Sequence, residues 1–271
     1  SVTLYGGRRL SGFRRVTDPA ILARLPPEAR DQVVVCDLNA LGITDFGKLA
    51  VRGFGQPPSP PTVELYFNGQ PLTLARWPNE GFVPIQKLVQ PGDRQQGLPS
   101  VIQYEGDRPA RWTKARDAWL FGYFKYLWAD AALPVGSIDP QAKTITTGQA
   151  YQYGQGAGMS TEQGIIYYVF NLLEEIDRPG EWYLDRQAGQ LYLYPPTPVD
   201  QATVEIGMLS VPMISAARLR QVRFEGIQFD MGRFNAIQFK DCDDCRVAGC
   251  TVKRFAGNGI MIHGGMRSGI V

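Results

Sequence analysis

The feature that most constrains this chain is a 23-residue self-similarity near its C-terminal end. Arg223-Phe-Glu-Gly226-Ile-Gln-Phe229 matches Arg246-Val-Ala-Gly249-Cys-Thr-Val252, an offset of 249 − 226 = 23. Asn235-Ala-Ile-Gln-Phe239 matches Asn258-Gly-Ile-Met-Ile262 at the same offset. One period back, Val204 and Ile206 fall under Ile227 and Phe229, and Ile214 falls under Ile237 and Ile260. One period beyond Cys245, the run Ser268-Gly-Ile-Val271 opens a new level. Apolar and polar residues alternate within each level, which is the pattern of a strand. Short strands between Gly, Asn and Asp turns at this spacing predict coils of a right-handed parallel β-helix over residues 199–271. Successive coils would pair at about 4.8 Å. A leucine-rich repeat needs a Leu-x-x-Leu-x-Leu signature, which is absent. Ile270-Val271 is a strand without a cap, and an open coil exposes unpaired backbone groups, so several further coils are expected after it.

The repeat also accounts for the cysteines. Of the four, Cys242, Cys245 and Cys250 lie within nine residues. Cys250 takes the place of Ile227 in an inward column, where a free thiol acts as a small hydrophobe. Cys245 aligns with Val222. Reading Cys242-x-x-Cys245 as half a zinc site requires further ligands, and the chain has one His. Packed free thiols are therefore expected, with no metal and no cofactor.

Net charge is +2 and the basic residues are scattered, which argues against nucleic acid as a partner. No stretch reaches the roughly 18 apolar residues of a membrane span. The best, Trp119 to Leu133, is broken by Lys125 and Asp130. Ser1 opens directly into strand-like sequence with neither signal peptide nor initiator Met, so the chain is expected to be processed or cut from something longer. With 30 Gly and 20 Pro, many short strands are expected rather than long helices.

Ahead of the repeat, Val2 to Val16 reads as a hairpin turning at Gly6-Gly7, and Thr17 or Asp18 caps a short helix reaching Leu25. Val33 to Leu38 reads as a strand. Residues 56–61, rich in proline, read as a stiff linker. Asn68-Gly69 joins the strands of a hairpin, and Asp185 to Gly189 turns a second one between Glu181–Asp185 and Gln190–Tyr194. Further strands are expected at Trp119–Trp128, Thr144–Thr146 and Tyr167–Leu172, with a short helix at Asn171–Ile176. Residues 62–198 then form an antiparallel β-barrel or sandwich. Gly154-x-Gly156-x-Gly158 reads as a flexible loop, since no strand–loop–helix context surrounds it. The predicted class is all-β.

Leu65-Tyr-Phe-Asn-Gly, Leu74-Ala-Arg-Trp-Pro-Asn79, the block Asn171 to Asp185 and Gly189-Gln-Leu-Tyr-Leu-Tyr-Pro-Pro196 are similar to bacterial right-handed parallel β-helix proteins related to glycoside hydrolases. These include α-galactosidase-like and α-fucosidase-like enzymes. The resemblance covers most of the chain. It implies that residues 1–55 belong with the early coils, that 62–198 is an inserted domain, and that the protein is secreted, periplasmic or on the cell surface. It further implies a polysaccharide or glycan as partner, and catalytic carboxylates on later coils, beyond residue 271.

Glycoside hydrolysis usually needs two carboxylates, about 5–5.5 Å apart for retention and roughly 6.5–9.5 Å for inversion. Asp241, Asp243 and Asp244 cluster at a turn, but their columns one level on hold Gly264, Met266 and Arg267, so no carboxylate pair stacks there. The alternative is that these acids make local turn hydrogen bonds. His263 precedes Gly264-Gly265 and is expected to face outward. Arg76-Trp77-Pro78 offers an indole platform for a sugar ring; the competing reading packs Trp77 inside. Trp182 and Tyr183 read as core, and Glu181 and Asp185 are not read as an acid/base pair. Substrate-binding candidates are therefore Trp77, Arg76, Asp241, Asp243, His263 and Arg267. The rival functions are a non-catalytic carbohydrate-binding or adhesin-like surface protein, and a polysaccharide lyase with a Lys or Arg base and calcium.

Overall fold

A computed structural model describes residues 2–56, 62–155 and 164–271. Residues 57–61 of the proline segment, and Gly156 and Gly158, lie outside the described residues. The chain is mostly β. Its one α-helix among the described residues, Pro19–Leu22, begins where Asp18 Oδ1 accepts from Ala20 N at 2.8 Å. Short 3-10 turns at Pro27–Ala29, Arg108–Lys114, Leu173–Glu175 and Val199–Gln201 complete the helical content among those residues.

The C-terminal repeat forms three parallel sheets of three strands each. Ile214–Ala217, Ile237–Lys240 and Ile260–His263 pair so that Ile214, Ile237 and Ile260 stand in one register column. Arg223–Glu225, Arg246–Ala248 and Gly269–Ile270 do the same, again in steps of 23 residues. The turns repeat as strictly as the strands. Left-handed residues recur at Arg218, Asp241 and Gly264, and at Gln221, Asp244 and Arg267. Phe229, Ile237, Phe239, Cys242, Cys245 and Val247 are buried in the core between these strands. The three cysteines of the repeat are free thiols, each directed at a carbonyl 26 residues earlier: Cys242 at Ala216, Cys245 at Leu219 and Cys250 at Phe224.

The third parallel sheet departs from expectation. The strand beneath Ile227–Gly232 is Val2–Tyr5, with Val2 opposite Ile227 and Leu4 opposite Phe229. Val204–Gly207 instead pairs antiparallel with Gly7–Arg9 and Leu65–Phe67. Alternation tells a strand which face to bury; it does not choose between two partners of equal pattern. The expected hairpin at Gly6-Gly7 is absent for the same reason, since the strands on either side join different sheets. Gly6 is required by close approach: a Cβ there would stand 2.4 Å from Met231 O.

The hairpins at Asn68-Gly69 and at Asp185 to Gly189 form as expected, the latter pairing four residues on each side. They sit in a four-stranded and a five-stranded sheet, whose facing side chains share a core of Leu10, Cys36, Leu65, Trp182, Leu191 and Ile206. Strands drawn from between Arg52–Gly53 and Ile166–Phe170 form a nine-stranded antiparallel sheet with Asp130–Asp139 at the middle of its path, between Trp119–Tyr123 and Thr144–Thr147. Its path runs from Val83–Pro84 to Lys87–Gln90, edge strands that are consecutive in the chain. Ile102, Trp112, Leu120, Tyr151, Tyr167 and Val169 fill its core.

Candidate functional site

Strand Arg76–Trp77 pairs antiparallel with Val169 and Phe170, and alternation sends its two side chains to opposite faces. Trp77 goes inward and packs against Trp112, with ring centroids 5.6 Å apart. Arg76 lies on the other face, its guanidinium carbon 3.5 Å from the centre of the Tyr168 ring. It donates to Pro78 O at 2.8 Å and to Gly81 O, so it holds the loop that follows.

That loop forms one wall of an open cleft of about 600 Å³, where Trp77, Asn79, Glu80, Arg108, Asp177 and Arg178 meet. The other wall comes from the block containing the Leu173–Glu175 turn. Glu175 is fully buried and receives Arg108 through Nε and Nη2 as well as Trp112 Nε1 at 2.6 Å. Arg108 also reaches Asp177 at 2.9 Å, and Asn79 Nδ2 donates to the other Asp177 oxygen at 2.7 Å. These contacts keep Arg108 firmly protonated, the Glu175 hydrogen bonds first among the causes. Glu181 is 5% exposed and accepts the backbone N–H groups of Asp177 and Arg178 on a single oxygen, at 2.9 and 3.0 Å. Burial pushes its carboxyl up to about 7, with the Asp177 and Glu175 charges adding to the effect. The cleft can hydrogen-bond a polar ligand through Asn79, Asp177 and Arg178, while Glu181 is a proton-holding group beneath it.

The remaining candidates sit on the turns of the parallel ladders. Asp243 Oδ1 accepts from Met266 N at 2.9 Å, and its other oxygen lies 3.5 Å from Arg220. Asp241 N donates to His263 O at 2.8 Å, and His263 is an exposed residue opposite Lys240. Arg267 grips Asp244 through two bonds of 2.7 Å and holds that carboxyl below its ordinary value. The Asp243 and Asp244 carboxylates are thus engaged with the level that follows them, and Asp241 is joined to it through its backbone. Among the described residues, these four candidates share no hydrogen bond, ion pair or cleft with Arg76 or Trp77. No group of three or more His, Cys, Asp or Glu side chains there is arranged to hold a metal ion.

Folding also assembles an aromatic surface that the sequence does not announce. Trp128 is 56% exposed and stacks on Tyr126 at 4.9 Å with an 11° interplanar angle. Phe54 and Tyr153 meet the same indole edge-on, at 4.9 and 5.7 Å. The strand expected to run to Trp128 ends at Tyr123. The only local signal is Tyr126-Leu-Trp128 itself, three large apolar residues in a row that a half-buried strand would not carry.

No family model matches the chain, and no curated protein matches it. A solved structure described as a glycoside hydrolase resembles it with a TM-score of 0.59 at 15% sequence identity, across 96% of this chain and 53% of that one. At that identity the likeness is one of fold, and the chain spans about half the length of its neighbour.

Proposed function

We propose that the chain is part of a carbohydrate-active protein of the right-handed parallel β-helix type, glycoside hydrolase-like as a whole, that acts on a polysaccharide outside the cytoplasm. The observation that carries this reading is the fold likeness to a glycoside hydrolase across 96% of the chain. In this reading the three parallel ladders are coils of the helix, to which Val2–Tyr5 adds a strand, and 62–198 form an inserted domain whose antiparallel sheets also take up Val34–Asp37 and Arg52–Gly53. Bond cleavage belongs to the whole protein, and the present residues contribute glycan binding. The exposed Tyr126–Trp128 stack supports that part, because the C–H face of a pyranose packs on an indole face as an aliphatic surface does. It equally suits a non-catalytic carbohydrate-binding protein, the second reading. The lyase reading loses its support, since Asp243 and Asp244 are engaged by Met266 and Arg267.

The test is a broad glycan panel probed with the wild-type chain and with Trp128→Ala. Binding to at least one glycan is expected, weakened about tenfold or more in the variant, which corresponds to about 1.4 kcal/mol. A wild-type chain that binds no glycan sinks the reading. Incubation of the whole protein with the bound glycan then separates the two versions: release of reducing ends marks a hydrolase, and intact glycan marks a binding protein.

A further inference from the structure

Three of the 3-10 turns converge on one face. Arg24, just ahead of Pro27–Ala29, donates through Nε to Glu174 in Leu173–Glu175 at 2.7 Å. Arg111, in Arg108–Lys114, donates to the Glu174 backbone carbonyl at 2.9 Å. Between them lies a cavity of about 330 Å³, lined in part by Arg24, Arg30, Arg111, Lys114 and Glu174. Four cations thus face one carboxylate, and that carboxylate is 2% exposed and already bonded to Arg24. Arg24 Nη2 is buried, and the buried Tyr183 lies beside the guanidinium. Arg30 and Lys114 are exposed and have no ion-pair partner among the described residues. A concave wall with one sign of charge concentrates counter-charged ligands. A guanidinium already fixed by a carboxylate loses little freedom on binding, and its planar fork matches carboxylate and sulfate oxygens.

The cavity also has a position relative to the cleft of Trp77. Pro27 lines one and Glu28 the other; Arg111 and Arg108 come from the same turn, as do Glu174 and Asp177 from one short segment. Two depressions therefore adjoin across a single turn of chain. The volume is at the lower end of small-ligand sites, which run from about 300 to 1,000 Å³. It suits one charged unit of a longer chain lying across the face.

We propose that this cavity is a subsite for the anionic group of an acidic polysaccharide, either the carboxylate of a uronic acid residue or a sulfate ester. The proposal deepens the carbohydrate reading and rests on it. The exposed Arg30 and Lys114 meet the anion, and Arg24, fixed by Glu174, adds its charge from the cavity wall together with Arg111. Glu174 orients Arg24 and has no direct part in holding the ligand.

The experiment measures binding of the full chain to polygalacturonate, dextran sulfate and neutral dextran at low ionic strength. The wild type is compared with Arg30→Gln/Lys114→Gln, whose replaced groups hold nothing in the fold, and with Arg8→Gln/Arg9→Gln as an equal charge change elsewhere. The expected result is at least tenfold preference for one acidic polymer over dextran, lost in the first variant and kept in the second. Which acidic polymer is preferred identifies carboxylate or sulfate as the anion. Equal loss in both variants, or no loss in the first, overturns the subsite. Binding of neutral glycans with no acidic preference overturns it while leaving the carbohydrate reading intact, and absence of binding across the broad panel removes both.

Discussion

Arg254 holds both oxygens of Asp230, through Nε at 2.7 Å and Nη2 at 2.8 Å, and its remaining nitrogen reaches Glu205. The two acids are 5% and 7% exposed. Tyr5 donates to the far oxygen of Glu205 at 2.8 Å, so one guanidinium ties the parallel ladder to the antiparallel strand Val204–Gly207. Removing the cation leaves two nearly buried carboxylates with only Tyr5 on Glu205 and Lys253, 3.6 Å away, beside Asp230. Arg254→Met is expected to lose about 3–5 kcal/mol of stability, as for one-sided deletions of buried ion pairs. Chemical denaturation measures it, and adding Asp230→Asn to the variant should recover part of the loss. A change below about 1 kcal/mol in the single variant would show that the network contributes nothing net.

Glu181 makes stability depend on pH in a defined direction. Its carboxyl rises from 4.5 to about 7 on folding, so between these values the folded chain keeps a proton that the unfolded chain has released. Stability is therefore highest with respect to this group at low pH, falls as pH rises through the window, and is lowest above about 7. The full effect is about 3 kcal/mol at 1.36 kcal/mol per pKa unit. Glu181→Gln keeps an oxygen for the Asp177 and Arg178 amides and removes the titration. The variant is expected to gain on the wild type as pH increases from about 5 to 8. Parallel stability curves for the two proteins would contradict this assignment.

The turns of the ladders contain two kinds of glycine, which substitution separates. Gly226 has φ +64, and no atom lies within 4 Å of where a Cβ would stand, so Gly226→Ala should cost only the left-handed penalty of about 1–2 kcal/mol. Gly265 has φ +78 and approaches the Cys242 carbonyl so closely that a Cβ would lie 2.0 Å from the oxygen. Gly265→Ala must move backbone as well, and a loss at least twice as large is expected. Urea midpoints at unchanged m-value give the comparison. Equal losses would mean that the chain at Gly265 yields freely.

Local pattern makes several pieces legible. The 23-residue spacing of Ile214, Ile237 and Ile260 is also their register in the sheet, because each inward side chain has one neighbour per level. Asn68-Gly69 takes left-handed angles at both positions and closes its hairpin, and Asp18 caps its helix. The stacking of Asp243 over Met266 and of Asp244 over Arg267 follows from the same arithmetic. Asp130–Asp139, the longest strand at ten residues, carries no such signal: its segment Ala131-Ala-Leu-Pro-Val135 has small residues and a proline in place of alternation. Trp77 shows the limit at a single residue. Its sequence context allows either a platform or a core position, and its pairing with Val169 directs it against Trp112 while one edge still lines the cleft.

By itself, then, the sequence determined which faces of its strands are buried, where the chain turns, and the repeat that sets the ladders in register. Those are local properties, written in side-chain alternation and in residues that tolerate left-handed angles. Tertiary structure alone decided that Val2–Tyr5, rather than Val204–Gly207, lies beneath Ile227, and that Arg24, Arg111 and Glu174 share one cavity. Such partners are far apart in the chain and are chosen by shape and charge only when the sheets close against one another. No spacing along the sequence records that choice.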